Sequence, residues 1–202
     1  DLGNMPKDGG HLLMTASEAE KMIAAEPDTA KFIFDFVGSQ EFVKGIVRRC
    51  LWIEDHEVQE ATKSAQIAER LEGVRAMRLA SDAESTRAFA DRAHRFKQIQ
   101  GRGKHRTIVV PKVTSEKRSY LPVGLLSSHS IVSDNAFAIY DAAIWNMAII
   151  TSRMHWVWVS TVCGQLETRI RYSNTLGWHT FPVPKLTEKN IDDLSRSAND
   201  IL

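Results

Sequence analysis

Ile108-Val-Val-Pro-Lys-Val113 is the clearest β-strand signal in the sequence, and the class of the fold follows from it. Most of its residues are β-branched, and the loop residues Gly101-Arg-Gly103 come shortly before it. Two similar short runs follow, Ser119-Tyr-Leu-Pro-Val123 and Ser130-Ile-Val-Ser133, with turn residues between them. The second half of the chain is therefore predicted to contain short strands.

The first half of the chain has mainly helical spacing. Thr15 or Ser17 can cap a helix that stops before Pro27, and the longest helical pattern runs from Asp55 to about Ala80. The other elements predicted in this half are a short strand at 11–14, a helix over 28–37, one or two strands over 41–53, and a helix over 82–92.

The remainder of the second half mixes both kinds of element. Ala136 to Thr151 is apolar almost throughout, as in a buried helix, and 154–160 fits either a helix or a strand. Leu166 to Tyr172 alternates as a strand does, and Thr187 to Leu202 has the pattern of a polar helix. The predicted class is α+β, with helices in the first half and short mixed or antiparallel strands with buried helices in the second half.

Composition excludes several classes of protein. Of the 202 residues, 43% are hydrophobic, which is enough for a packed core. No run of about eighteen apolar residues exists, so no membrane contact is predicted. The N-terminus lacks a start methionine and a signal peptide, so the chain is expected to begin inside a longer polypeptide. Cys50 and Cys163 are interpreted as buried thiols of a reducing, cytoplasmic compartment, with a disulfide as the alternative.

The formal net charge of +1 hides an asymmetry along the chain. Residues 1–60 hold twelve Asp and Glu against six Lys and Arg, whereas residues 92–118 hold nine Lys and Arg and a single acid, Glu116. A local basic segment in a neutral protein points to an anionic partner better than the overall charge does.

Motifs of self-sufficient active sites are absent from the sequence. It contains no Gly-x-Gly-x-x-Gly, no Walker loop, no His-Glu-x-x-His, no Cys-x-x-Cys and no Gly-x-Ser-x-Gly. The seven histidines are scattered without the spacing of metal ligands. No catalytic residue and no metal site is therefore predicted in this chain.

Charged residues alternate along Gly164-Gln-Leu-Glu-Thr-Arg-Ile-Arg-Tyr-Ser173. A period of two places Glu167, Arg169 and Arg171 on one face of a strand. An edge strand with cross-paired surface charges would give the same pattern. The other interpretation is DNA base readout, because arginine can bridge O6 and N7 of guanine and glutamate can accept from the amino group of cytosine.

Two further positions fit base readout. Lys112 lies at a strand end, where an ordinary exposed lysine is the alternative. Asp134 and Asn135 lie between a predicted strand and a predicted helix, where Asp134 could simply cap the helix. Asn135 could instead form two hydrogen bonds with adenine.

The basic segment suits the phosphates of DNA, contacts that give affinity without sequence information. A solvated loop is the alternative interpretation. The candidate phosphate-binding residues are Arg92, Arg95, Lys97, Arg102, Lys104 and Arg106.

At these motifs the sequence resembles the target-recognition region of type IIL, MmeI-like restriction-modification proteins, which are single-chain adenine-N6 DNA methyltransferases fused to a nuclease. The shared stretches follow the family's order over nearly the whole chain. They are Gly3-Asn-Met-Pro-Lys-Asp-Gly-Gly-His-Leu-Leu13, Phe36-Val-Gly-Ser-Gln-Glu-Phe42, Arg49-Cys-Leu-Trp-Ile53, residues 110–124, Ser152-Arg-Met-His-Trp156, residues 164–173 and Thr180-Phe-Pro-Val-Pro184.

The resemblance implies that residues 1–184 recognise double-stranded DNA for a methyltransferase domain that lies upstream in the same chain. That domain would carry an Asn-Pro-Pro-Tyr/Phe motif and a glycine-rich S-adenosylmethionine loop, and neither is in this sequence. No cofactor is therefore expected here, and S-adenosylmethionine is implied for the full-length protein. Residues 185–202 would open the family's C-terminal helical segment.

The position of the shared motif at residues 164–173 implies that Glu167 and Arg169 are a specificity pair and that Arg171 recognises a further base. The resemblance also places Lys112 and Asp134-Asn135 where the family recognises other bases of the DNA site. We expect a C·G pair opposite Glu167 and Arg169, and another G·C-type pair opposite Lys112 and Asp134. The competing hypothesis is a scaffold or protein-interaction module that does not contact DNA. A free-standing enzyme is disfavoured by the missing motifs.

Overall fold

Ten short strands and eight α-helices make up the computed structural model, which describes residues 1–202. The strands are β1 (Leu13–Thr15), β2 (Ile33–Val37), β3 (Arg48–Leu51), β4 (Arg106–Pro111), β5 (Val113–Thr114), β6 (Gly124–Ser127), β7 (Ser130–Val132), β8 (Ala136–Tyr140), β9 (Gln165–Leu166) and β10 (Arg169–Arg171). The helices are α1 (Ala16–Ala25), α2 (Ser39–Lys44), α3 (Val58–Ala61), α4 (Ala65–Leu79), α5 (Glu84–Arg87), α6 (Trp145–Thr151), α7 (Arg153–Val162) and α8 (Glu188–Ile201). The predicted α+β class is confirmed.

The strands form three small sheets. Their orders are β1-β3-β2-β7, β6-β4-β8 and β5-β10-β9. All neighbouring strands are antiparallel except β2 and β7, which pair in parallel with Asp35 opposite Ser130 and Val37 opposite Val132. Because β7 comes from the second half of the chain, this pairing joins the two halves.

Two hydrophobic cores stabilise the halves. The first is filled mainly from the first half and contains Phe36 of β2 and Leu51 of β3. The second contains Ile108 of β4 and Val159 of α7. Ala198 is buried in this second core, so α8 packs on the rest of the domain against α6. The division at residue 184 stays a prediction.

The N-terminal segment is fixed by buried polar contacts with the second half. Asn4 is fully buried, and its amide nitrogen donates to the carbonyl oxygens of Gly101 at 2.9 Å and Val132 at 3.1 Å. A Cβ atom at Gly3 would lie 2.1 Å from the carbonyl oxygen of Ser133, so only glycine fits there. The segment therefore holds the turn after β7 in place.

Arg78 of α4 ties the same segment to the basic region. The side chain is fully buried, and all five of its N–H donors are used by backbone carbonyl groups. The acceptors are the carbonyl oxygens of Pro6, Lys7, Phe89, Arg92 and Arg95, at 2.7–3.3 Å. A buried charge is tolerated because every donor is satisfied.

Two predictions for the first half are wrong. Residues 28–37 are not one helix, because a 3₁₀ turn ends at Phe32 and Ile33-Phe-Asp-Phe-Val37 forms β2. Residues 41–53 are not extended throughout, because α2 fills Ser39–Lys44 and ends at Gly45, whose φ of 66° is left-handed. The helical spacing of Phe32, Ile33 and Phe36 misled the first prediction, and the aromatic and β-branched residues of 41–53 misled the second.

The predicted helix over 55–80 is divided, because a turn at 62–64 separates α3 from α4 and the Ser64 hydroxyl accepts from the Ile67 N–H at 3.2 Å. The helix predicted over 82–92 is likewise divided, into α5 and a 3₁₀ turn at Ala90–Arg92. The short N-terminal strand and α1 are confirmed. Thr15 caps α1 and exchanges hydrogen bonds with Glu18.

The second half contains two comparable errors. No strand forms over 119–123, and β6 begins only at Gly124. Residues 136–151 are not one helix, since Ala136–Tyr140 forms β8 against β4 and α6 begins at Trp145. A strand buried on both faces is as apolar as a buried helix, so periodicity does not separate them. Residues 154–160 lie in helix α7, and α8 is confirmed.

No helix is long and apolar enough to span the hydrocarbon core of a bilayer. Cys50 and Cys163 are both buried and are not joined to each other, as the composition indicated.

Replacing Arg78 with methionine should lower the free energy of unfolding by more than about 3 kcal/mol, because several buried carbonyl groups lose their donor. Urea denaturation of the purified protein measures this. Arg75→Met is the control, since Arg75 lies on the same helix, is half-exposed and only approaches Asp91 at 3.8 Å. Its effect should stay below about 0.5 kcal/mol, and equal effects of the two variants would contradict the role of Arg78.

Candidate nucleic-acid interface

An open cleft of about 900 Å³ lies between α2 and the hairpin formed by β9 and β10. Four of the predicted base-reading residues line it, namely Lys112, Asn135, Arg169 and Arg171. They come from three separate parts of the chain. The structure therefore brings Lys112 and Asn135 next to the two arginines, a proximity that the sequence pattern alone does not show.

The hairpin of residues 165–171 presents the arginines of the cleft. β10 pairs with β5 on one side and with β9 on the other. Ile170 and Tyr172 are buried in the second core, whereas Arg169 and Arg171 are exposed. The predicted alternation over this strand is confirmed for these residues, and it directs both guanidinium groups into the cleft.

Glu167 does not lie on the strand face as predicted, because it occupies the turn of the hairpin with a left-handed φ of 57°. The same alternation would place Leu166 on the buried face with Ile170 and Tyr172. Leu166 is instead 45% exposed and lines the cleft, because the turn interrupts the period of two. Glu167 nevertheless reaches Arg169, whose guanidinium donates to its carboxylate at 2.7 Å. The pair is adjacent and open to solvent, with 75% and 47% of the two side chains exposed.

Ser39, at the start of α2, connects two of the predicted reading positions, Lys112 and Asn135. Its hydroxyl accepts from the backbone N–H of Lys112 at 3.0 Å and donates to the carbonyl oxygen of Asn135. The carbonyl oxygen of Lys112 accepts in turn from the N–H of Tyr172 at 2.7 Å. One network of hydrogen bonds therefore sets α2, Lys112, Asn135 and β10 relative to one another.

Asp134 and Asn135 lie in the turn between β7 and β8, so the alternative reading of Asp134 as a helix cap is wrong. The hydroxyl of Ser133 donates to the Asp134 carboxylate at 3.2 Å and accepts from the Asn135 N–H at 3.2 Å. Asn135 is exposed and lines the cleft, whereas Asp134 is half-buried at its margin and does not line it.

A buried aromatic cluster supports the hairpin from behind. The Nε2 atom of His155 lies 3.2 Å from the hydroxyl of Tyr172, and the rings of Trp178 and Phe181 pack edge-on against His155. Burial lowers the pKa of His155 to about 4, so the imidazole is neutral at pH 7. The two arginines thus stand on a strand whose other face is anchored by packing.

Two of the predicted phosphate-binding residues, Arg102 and Lys104, lie on the loop before β4, and a third, Arg106, is the first residue of β4. Backbone N–H groups of Lys104, His105 and Arg106 donate to the carboxylate of Asp141, and these bonds hold the pKa of Asp141 below its usual range. The side chains of Lys104 and Arg106 remain exposed. Arg102 is also exposed, and its guanidinium lies 4.9 Å from the ring centre of Phe34.

The other three predicted phosphate-binding residues are engaged within the chain. Arg92 and Arg95 form ion pairs with Asp55 at 3.3 Å and with Glu54 at 2.5 Å. The Lys97 ammonium donates to the hydroxyl of Thr86 at 2.7 Å. The structure therefore does not place the six residues in one free basic surface.

Sequence reasoning missed the residues that α2 contributes to the cleft, which are Ser39, Gln40, Glu41, Val43 and Lys44. The signal was present: Gly38 is followed three residues later by Glu41, whose carboxylate accepts from the Gly38 N–H at 3.1 Å, and Gly45 ends the helix. A helix start with glutamate at the third position and a left-handed glycine at the end is a recognisable pattern. The β-formers around it masked that pattern.

Comparison with known proteins identifies the domain. The model of the family described as "MmeI, target recognition domain" matches residues 1–185. This chain belongs to that family. This MmeI-type chain is also similar to DNA methyltransferase A of Bacillus subtilis (strain 168). The two sequences are 36% identical over 200 residues. That match covers 99% of this chain and 23% of the relative.

A solved structure gives the same result. It is that of the type IIL restriction-modification enzyme MmeI in complex with DNA, which matches this chain with a TM-score of 0.90 and 32% identity. The match covers 99% of this chain and 27% of the MmeI chain. The chain therefore spans about a quarter of the length of these relatives.

Motifs shared with the family divide into structural and cleft-facing residues. Gly3, Asn4 and Tyr172 serve packing and hydrogen bonding within this MmeI-type domain. Lys112 and Arg169 of the later motifs face the cleft instead. The resemblance found in the sequence is thus confirmed for the family, whereas the roles of the individual cleft residues stay predictions.

The stability of the domain should fall as the pH is lowered from 6.5 towards 4. His155 has an ordinary pKa of 6.5 in the unfolded chain and about 4 in the folded domain, so unfolding takes up a proton in this window. The stability that neutral His155 contributes is present above pH 6.5 and is lost on acidification. In His155→Phe, the free energy of unfolding measured with urea should depend less on pH between 6.5 and 4; equal slopes would contradict this account.

Proposed function

We propose that this chain recognises a specific sequence in double-stranded DNA as the target-recognition part of an adenine-N6 DNA methyltransferase of the restriction-modification type. The observation that carries the proposal is the cleft itself, which collects Lys112, Asn135, Arg169 and Arg171 on one surface. Such side chains match the donor and acceptor patterns that bases present in the major groove. MmeI, which has the same fold, is known in complex with DNA.

Glu167 and Arg169 are proposed to read the two bases of one C·G pair. Arginine donates to O6 and N7 of guanine, and the glutamate carboxylate accepts from the amino group of cytosine. The two side chains are in contact at 2.7 Å and exposed, so they can address adjacent groups on a single base pair. The left-handed backbone at Glu167 aims its carboxylate back towards Arg169.

The remaining candidates complete the proposed reading surface. Arg171 faces the cleft beside Arg169 and reads a further position. Lys112 donates to a guanine, with Asp134 as the acceptor for its partner cytosine, and Asn135 suits the N6 and N7 atoms of adenine. Lys112 directly precedes β5, which pairs with β10, and its ammonium group lies 5.7 Å from the ring centre of Phe137.

Phosphate contacts are proposed first for Arg102, Lys104 and Arg106, because these side chains are exposed and their loop is fixed by Asp141. β4 separates Arg106 from Lys112 by six residues, or about 20 Å, and Arg102 and Lys104 precede Arg106. Contacts with the DNA backbone and with bases can therefore fall on different parts of one duplex. Arg92, Arg95 and Lys97 stay predictions, and DNA would have to compete with their partners within the chain.

S-adenosylmethionine is proposed as the methyl donor of the larger enzyme and not as a ligand of this chain. The donor carries a sulfonium and an ammonium group, whereas the cleft is lined by Lys44, Lys112, Arg169 and Arg171. The acid that lines the cleft, Glu41, is paired with Arg48 at 3.0 Å. The residues of the cleft therefore do not fit this cofactor, and we assign its binding to an upstream methyltransferase domain.

Reversing the charges of the reading pair should reverse the base pair that it selects. In the full protein that carries this domain, Glu167→Lys combined with Arg169→Asp should change one position of the methylated sequence from C·G to G·C, because lysine then meets guanine and aspartate meets the cytosine amino group. Sequencing of methylated sites measures this.

Asp193→Lys combined with Arg196→Asp is the matched control, because this exposed ion pair of 3.7 Å lies on α8. It should leave every position of the methylated sequence as it was. An unchanged sequence in the Glu167 and Arg169 double variant would refute the assignment.

Binding to a duplex that contains the recognised sequence should weaken steeply with salt. Each neutralised phosphate contributes about −0.9 to the slope of log affinity against log salt, so Lys104→Ala should make the slope shallower by about one unit. The control is Lys63→Ala, because Lys63 lies in a pocket with the acids Glu26, Asp28 and Glu60. If this domain were a scaffold that does not contact DNA, Lys104→Ala would leave the salt slope of the full protein unchanged, as Lys63→Ala does.

A further inference from the structure

We propose that α2 is a second reading element, in which Gln40 contacts a base edge from the side of the cleft opposite the β9–β10 hairpin. This inference rests on the proposed function and extends it to a residue outside the reading positions inferred from the sequence. It assigns to Gln40 a role in the choice of sequence, and to Lys44 a contact with the DNA backbone.

Gln40 and Lys44 lie on the face of α2 that lines the cleft. Gln40 and Lys44 are four residues apart on one helix, a spacing that places them on the same face. Both line the cleft together with Arg169 and Arg171 of the hairpin. A duplex that reached the arginines through this cleft would also meet the face of α2.

Gln40 differs from its neighbours in the first turn of α2 in its hydrogen bonding. Every other polar side chain in the first turn of α2 is engaged: Ser39 joins Lys112 to Asn135, and the Glu41 carboxylate accepts from Gly38 and from Arg48. The Gln40 amide takes part in none of these bonds and is exposed to solvent. It is therefore free to bind an external donor and acceptor.

The two cations on this side of the cleft, Lys44 and Arg48, also differ in whether they are engaged within the chain. Arg48 pairs with Glu41 at 3.0 Å, and its guanidinium lies 5.4 Å from the ring centre of Phe36. Lys44 is exposed and forms no ion pair. Of the two cations, Lys44 is thus the one available for a phosphate.

The beginning of α2 is held in place by hydrogen bonds to two distant parts of the chain. The hydroxyl of Ser39 fixes the beginning of α2 to the backbone of Lys112 and of Asn135. Gln40 follows Ser39 directly, so its backbone keeps a set distance from two proposed readers. A reading side chain needs such a fixed base, because a looser one loses discrimination between similar bases.

The hydrogen-bonding groups of the Gln40 side chain determine which base it can recognise. The arginines and lysines of the cleft only donate hydrogen bonds, whereas an amide both donates and accepts. Adenine presents an acceptor at N7 and a donor at N6 in the major groove, and glutamine can satisfy both at once. Gln40 should therefore select an A·T pair at a position other than the one read by Glu167 and Arg169.

The test is sequencing of the sites methylated by the full protein that carries this domain. Gln40→Ala should relax one position, lowering its discrimination for adenine by about 5- to 150-fold. Gln40→Glu should move that position towards cytosine, whose amino group donates to a carboxylate. Lys44→Ala should weaken binding to all duplexes alike and leave the sequence unchanged.

Gln59→Ala is the control, since Gln59 is exposed on α3 and does not line the cleft. It should leave the methylated sequence unchanged. If Gln40→Ala and Gln40→Glu leave every position unchanged, the inference is wrong. It is also wrong if both variants fold, as measured by circular dichroism, yet lose methylation of all sequences equally, because that result means a role without base discrimination.

The Glu167 and Arg169 double variant separates this inference from the proposed function. If that variant changes the sequence and the Gln40 variants do not, DNA reading stands and only the role of Gln40 fails. If the double variant also has no effect, the proposed assignment of the reading hairpin fails with it.

Discussion

The four hydrogen bonds of the buried Asn4 side chain are the interaction on which the rest of the structure depends. Its amide nitrogen donates to the carbonyl oxygens of Gly101 and Val132, and its amide oxygen accepts from the N–H groups of Gln100 at 2.8 Å and Gly101 at 3.2 Å. Every donor and most of the acceptor capacity of the amide is thereby used. Three segments that are far apart in sequence therefore have one arrangement, because any other leaves buried polar groups without partners.

The shape of the cleft depends on how Asn4 arranges these three segments. The turn that follows Val132 carries Asn135, whose carbonyl oxygen accepts from Ser39, and Ser39 accepts from Lys112. The carbonyl oxygen of Lys112 then accepts from Tyr172, beside Arg171. Backbone groups and the Ser39 hydroxyl fix the strands and helix around the cleft, and long charged side chains project from these elements into the cleft. The side chains to which base reading is proposed can therefore be exchanged without loss of the hydrogen bonds that position them.

Sequence patterns predicted what local spacing controls and failed where distant contacts decide. Alternation correctly placed Arg169 and Arg171 on one face, because Ile170 must be buried between them. It misplaced Glu167, since a turn requires a left-handed residue that alternation does not mark. Residues 136–151 were misread because an apolar strand and an apolar helix share one composition. The link from Ser39 to Lys112 and Asn135 spans 73 and 96 residues, so no local pattern could have indicated it.

Chemical interference on DNA tests most directly whether the cleft reads the major groove. Dimethyl sulfate methylates guanine at N7, in the major groove, and adenine at N3, in the minor groove. Duplexes carrying single methyl groups would be sorted by binding to the full protein that carries this domain. The account predicts that N7 methylation of the guanine opposite Arg169 prevents binding, and that Arg169→Ala removes this effect at that guanine alone. Interference confined to adenine N3, or an identical pattern in Arg169→Ala, would contradict it.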